Sequence, residues 1–225
     1  MLILAVHTSS PFLGVAVTKG GEIVVEEILA PGKEHLENLT GAITKVMSEA
    51  GLELGDLDGL AVAIGPGSFS GIRVGLSVVK GLAMALNVHI VGVSSLEILA
   101  CQSVKKGRMA IPLINAGRGE FYSGIFKKHE DSIEIIRPPR LLSKGDVAGF
   151  ISDVCSLEIT ICGTPDIIGA ITRETAISGK AVTTPSPGTC GILAEKRMIL
   201  EAYDDIHGLT PLYIRRSDAE ANRRA

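Results

Sequence analysis

Two short stretches hold the residue types from which a phosphate site is built: "HTSSP" at residues 7–11 and "GPGSFSGIRVG" at residues 65–75. Each follows an apolar run, "LILAV" and "LAVAI" respectively. Each is therefore a turn at a strand end, where hydroxyls and backbone N–H groups can face an anion. The second stretch misses both common phosphate fingerprints. A P-loop needs Lys and Ser or Thr directly after its second spaced glycine, and Gly71 is followed by Ile72 and Arg73. A dinucleotide fingerprint needs a third glycine where Ser70 stands. Gly65, Pro66 and Gly67 suit a sharp strand-to-helix turn, with Ser68 or Ser70 as N-cap. Thr8, Ser9, Gly67 and Ser68 remain the candidate anion-binding residues, because the first turn of a helix attracts negative charge.

Other chemistries find less support. The histidines at 7, 35, 89, 129 and 207 form no H-E-x-x-H or H-x-x-x-H pair, so no metal ligands are expected. Neither Ser68 nor Ser70 has a glycine two residues before it, which removes the nucleophile elbow of serine hydrolases. Asp56 and Asp58 stand in a polar linker and read as turn residues rather than paired catalytic carboxylates. In the turn "NAGRGE", Arg118 and Glu120 are expected to pair across a hairpin.

The elements that must position these residues follow a repeated plan. "LILAV", "LGVAVT" and "EIVVEEIL" read as a three-stranded antiparallel meander. A helix from Glu34 to Ala50 then puts Leu36, Leu39, Ile43, Val46, Met47 and Ala50 on one face and stops at Gly51. The strand "LAVAI", a helix from about Ser70 to Leu86, the strand "HIVGV" and a helix opened by Ser94 or Ser95 with Glu97 behind it complete the first half. "MAIPLIN", "EFYSGIFK" and "IEIIRP" start a second meander, followed by the helical "GDVAGFISDV" and the strand "LEITICG". After Thr164 the pattern weakens; "GTCGILAEKRMILEAYDD" reads as a helix and "PLYIRR" as a final extended piece. Two similar α/β lobes with mixed sheets are expected, residues 1–105 and 106–225.

The helix after the glycine turn is the most informative element. At about 100° per residue, Gly71, Gly75, Gly81 and Ala85 share a side with Val74, Val78 and Leu82, while Ile72, Leu76, Val79 and Leu86 cover another. Arg73, Ser77 and Lys80 leave only a narrow polar strip. Such a helix must be covered twice, once by its own sheet and once by the helix ending at Ala50 or by a second protein.

Composition narrows the class. The 225 residues are 46% hydrophobic, enough for a real core, and the net charge of -3 provides no basic field for nucleic acid or anionic lipid. Four cysteines without a C-x-x-C pair suit reduced thiols in a cytoplasm. The apolar start "MLILAV" is too short for a signal peptide or a membrane span.

"GPGSFSGIRVGLSVVKGLAMAL" followed by "VGVSSLEILA" resembles the bacterial TsaB (YeaZ) family. Further matches are "HTSS", "HLENLTGAI", "AGLELGDLDGLAVAIGPGSFSGIRVG", "GEFYSGIF" and "PLYIRR". The resemblance implies the two-lobed actin/Hsp70/sugar-kinase fold and a non-catalytic accessory subunit in the N6-threonylcarbamoyl modification of adenosine 37 in tRNA. It implies docking to a TsaD-type catalytic subunit, together with a TsaE-type ATPase, and a homodimer through the same surface when alone. tRNA would be met only through the complex, no metal would be held, and ATP or ADP would bind only in the complex. The implied docking residues are Leu36, Leu39, Ile43, Ser68, Phe69, Ile72, Arg73, Gly75, Leu76, Val79 and Lys80, with Gly75 replaceable by Arg without unfolding. The family's first motif reads Asp-Thr-Ser, so His7 stands where it has an acid, and Ser70 stands where it has Thr. The rival expectation is an enzyme acting alone, either a nucleotide-dependent transferase or a metallopeptidase.

Overall fold

In the computed structural model, residues 1–31, 38–130, 132–152, 159–171, 173, 178–182 and 184–215 are described. Leu36, the expected helix start at Glu34 and the tail beyond Arg215 lie outside them. The first meander is β1 (Leu2–His7), β2 (Leu13–Lys19) and β3 (Glu22–Leu29), paired antiparallel. β4 (Gly59–Gly65) and β5 (His89–Ser94) add to it in parallel, giving the order β3-β2-β1-β4-β5. β1 is buried along its whole length because both faces of this sheet are covered. Leu2, Leu4 and Val6 point to one layer of helices, and Ile3 and Ala5 to the other.

On the outer layer lie α1 (Leu39–Glu49) and α2 (Phe69–Leu86). α1 buries Leu39, Ala42, Ile43, Val46 and Met47, the three-and-four spacing of one helix face. It ends as expected at Gly51, whose φ of 67° lets its N–H reach Ser48 O while Leu52 N–H reaches Met47 O. α2 is capped by Ser68, whose Oγ accepts from Gly71 N–H at 3.3 Å. It is 18 residues long with a mean hydropathy of 1.4, and packs across β4, β1 and β5. On the inner layer, α3 (Ser95–Ser103) opens with a capping box: Glu97 Oε2 accepts from Ser94 N–H at 3.1 Å, and Ser94 Oγ accepts from Leu96 N–H.

The second sheet repeats this plan. β6 (Met109–Gly117), β7 (Glu120–Lys128) and β8 (Ile133–Ser143) form an antiparallel meander. β9 (Ile159–Gly163) and β10 (Ser178–Ala181) extend it in parallel, giving β10-β9-β6-β7-β8. Its outer face is covered by α4 (Lys144–Ser152) and α5 (Pro165–Ile171), which bury Val147, Phe150, Ile151, Ile167, Ile168 and Ile171.

The chain then returns to the first sheet. α6 (Pro187–Ile199) lies across the inner face of β1, β2, β3, β4 and β5. It seats where glycines let it approach: a Cβ on Gly59 would collide with Met198, and one on Gly14 with Pro187. The expected division at 105/106 separates the two sheets in sequence, yet α6 belongs spatially with the first. This helix is also shorter than expected. Beyond Ile199 the chain turns, with Glu201 at φ 57°, so that Asp204 can pair with Ile90 and accept Gly92 N–H at 2.8 Å. Arg197 fastens the inner layer, donating to Gly92 O at 2.9 Å and pairing with Glu97 at 2.7 Å.

Candidate functional site: the outer face of α2 and the cleft between the sheets

The β1–β2 turn holds the start of α2. Thr8 Oγ1 donates to Gly71 O at 2.7 Å, and Ser68 N–H donates to Ser9 O at 2.8 Å. Ser9 Oγ lies 2.8 Å from His7 Nε2 and 2.7 Å from Ser95 Oγ. This corrects the anion-binding expectation for Thr8 and Ser9, since both hydroxyls are buried and already engaged inside the protein. The glycines serve the same contact. A Cβ on Gly67 would overlap Ser9 O, one on Gly71 would overlap Thr8 O, and one on Gly75 would overlap the Thr8 hydroxyl. His7 is fully buried, and desolvation pushes its imidazole down to about 3, so it is neutral at physiological pH. A neutral ring can sit beneath the turn where a buried carboxylate would bring a charge.

Several expected docking residues face the core. Leu39 and Ile43 of α1, and Ile72, Leu76 and Val79 of α2, are buried. Gly75 lies against Thr8, so an arginine there would disrupt the fold rather than only a partner contact. Ile72, Leu76, Val79 and Ala83 fill the space over the sheet, Gly71 and Gly75 seat against Thr8, and Gly81, Met84 and Ala85 turn outward. The exposed side runs through Ser70, Ser77, Gly81, Met84 and Ala85, edged by half-buried Val74, Val78 and Leu82. Met84 is 61% exposed, and a Cβ on Gly81 meets nothing within 4 Å. Sequence periodicity put Gly81 and Ala85 together with Gly71 and Gly75; the structure splits the four between the outer and inner sides.

Ser68, Phe69, Arg73 and Lys80 lie along a polar and aromatic edge of this side. Phe69 stacks on Tyr213 with ring centroids 5.2 Å apart, and the Arg73 guanidinium lies 3.8 Å above the Phe69 ring while its Nε donates to Tyr213 Oη at 3.0 Å. Lys80 Nζ donates to His207 O at 3.3 Å. The segment carrying Tyr213 continues to Arg215, which donates to Ala116 O at 2.9 Å and pairs with Glu120. Glu120 is thus engaged by Arg215 from far along the chain, a partner that hairpin spacing could not indicate.

A cleft of about 640 Å³ opens between the sheets at the carboxyl ends of β4, β6, β9 and β10. Ser9, Ser10, Gly67 and Ser68 border it on the first-sheet side, and Asn115, Thr164 and Asp166 on the other. Its walls are largely apolar, including Leu99, Leu113, Ile114, Ile167 and Val182.

Two stacked α/β units of identical strand order around a cleft define the two-lobed class of actin-like ATPases and sugar kinases. In agreement, the structure of an activator of 2-hydroxyisocaproyl-CoA dehydratase from Clostridium difficile with bound ADPNP superposes with a TM-score of 0.51 at 12% identity, covering 91% of this chain and 99% of that one. YeaZ from Pseudomonas aeruginosa superposes with a TM-score of 0.81 at 24% identity, covering 94% and 99%. The sequence profile "TsaD: tRNA N6-adenosine threonylcarbamoyltransferase" matches residues 23–158. The tRNA threonylcarbamoyladenosine biosynthesis protein TsaB of Bacillus subtilis is 30% identical over 98% of this chain and 97% of its own length. The chain belongs to the TsaB (YeaZ) family.

Proposed function

We propose that this chain is a cytoplasmic, non-catalytic subunit in the threonylcarbamoyladenosine modification of tRNA. In this reading it docks a TsaD-type threonylcarbamoyltransferase through the outer face of α2 and the adjoining α1. The observation that carries the reading is the outer side of α2, where exposed Gly81, Met84 and Ala85, flanked by half-buried Val74, Val78 and Leu82, present an apolar surface on a helix already seated on its sheet. Small side chains allow another helix to approach closely, and burying the surface offsets the cost of holding it in water. Phe69, Arg73 and Lys80 supply the polar edge that fixes register. A TsaE-type ATPase joins this assembly, tRNA is met through the complex, and two copies pair through the same face when the partner is absent. Among the described residues the cleft lining carries no basic side chain, which supports ATP or ADP being held only in the assembled complex.

Reconstitution tests this. tRNA modification by the catalytic subunit is measured with and without the chain; the expected result is dependence on stoichiometric chain, with no turnover by the chain alone. Equal modification in its absence, or turnover of ATP by the isolated chain in the presence of magnesium, would contradict the reading.

A further inference from the structure

The interlobe cleft has a chemistry that the docking role does not use. Its volume of about 640 Å³ lies within the roughly 300–1,000 Å³ range of small-molecule sites. It sits at the carboxyl ends of parallel strands, where open α/β sheets place ligands. A polyphosphate does not suit it. The turn that would cradle phosphate is closed, because Ser68 N–H is bonded to Ser9 O and Gly67 is pressed against the same carbonyl. Among the described lining residues only Asp166 carries a charge, and that charge is negative. The Thr164 hydroxyl donates to the Asp166 carboxylate at 2.5 Å and holds it below the usual carboxylate range. Behind it stand Leu99, Leu113, Ile114, Ile167 and Val182, and across from it the hydroxyls of Ser10 and Thr184, which bond to each other at 2.7 Å.

We propose that this cleft is a binding site for a small organic cation, a primary amine on a compact apolar body, with the ammonium at Asp166 and the body against the aliphatic wall. The apolar wall gives the affinity and the carboxylate gives the sign of the charge selected. Nucleoside triphosphates are rejected, because nothing in the cleft neutralises them and Asp166 repels them.

The test uses the full chain labelled with nitrogen-15 and two probes of one shape and opposite charge, phenethylamine and 3-phenylpropionate, beside ATP with magnesium. The amides of Gly117, Gly163 and Ile167 report on the cleft, and those of α1 serve as the reference. Phenethylamine is expected to shift the cleft amides saturably with a Kd of about 1 mM, roughly fivefold or more tighter than 3-phenylpropionate. ATP with magnesium leaves those amides unmoved. Asp166 is exposed, so Asp166→Asn keeps the fold and is expected to remove the preference for the amine. Equal binding of the two aryl probes to the unaltered chain, no saturable shift with the amine, cleft shifts with ATP, or a preference that survives Asp166→Asn would each overturn the proposal.

Discussion

α2 and α5 occupy the same place in the two sheets, each joining a pair of parallel strands, β4 to β5 and β9 to β10. α5 does so with seven residues and buries Ile167, Ile168 and Ile171. α2 uses 18 residues, buries Ile72, Leu76, Val79 and Ala83, and leaves Gly81, Met84 and Ala85 exposed. On the proposed reading, the greater length of α2 and its exposed Gly81, Met84 and Ala85 serve the docking of a partner. Thr8 and Ser9 bind the start of α2 from within, and the fully buried His7 holds Ser9 in turn.

Gly75→Arg drives a side chain into Thr8 and is expected to destabilise by at least ~4 kcal/mol, seen as loss of the cooperative unfolding transition. His7 has a folded pKa of about 3 against an ordinary 6.5, so between those values the unfolded chain binds a proton that the folded chain does not. Stability therefore rises with pH through that window, and on the order of 4 kcal/mol is lost as pH falls from 6.5 to 3. His7→Gln is expected to flatten this acid limb in denaturation curves taken across the range. Thr8→Val removes the bond to Gly71 O and is expected to cost about 1 kcal/mol in chemical denaturation while α2 stays in place. Gly81→Arg meets open space on the other side and is expected to change stability by no more than about 1 kcal/mol.

Much of this arrangement was legible in the residues. The two meanders, the capping box at Ser94 and Glu97, and the stop at Gly51 rest on local chemistry, and each stands where the pattern put it. The phase of α2 was not legible, because a helix apolar on nearly all sides gives no contrast for periodicity to read. The phase is set by a contact distant in sequence: Thr8 bonds Gly71 O and lies against Gly75, which turns Gly81, Met84 and Ala85 outward. α5 and β10 escaped because elements of seven and four residues are too short for a repeating pattern. The end of α6 escaped because Asp204 is held by β5, about 110 residues earlier in sequence. The cleft could not be seen for the same reason, since Ser9, Asn115 and Asp166 meet only in the fold.

The proposed docking face is the outer side of α2, and not its counterpart α5. Calorimetric titration of a TsaD-type subunit into three chains tests it most directly: unaltered, Gly81→Arg, and Gly169→Arg on α5, all first shown to unfold cooperatively. Gly81→Arg is expected to weaken binding at least about 100-fold, close to 3 kcal/mol, while Gly169→Arg binds as the unaltered chain does. Undiminished binding by a folded Gly81→Arg chain would contradict it.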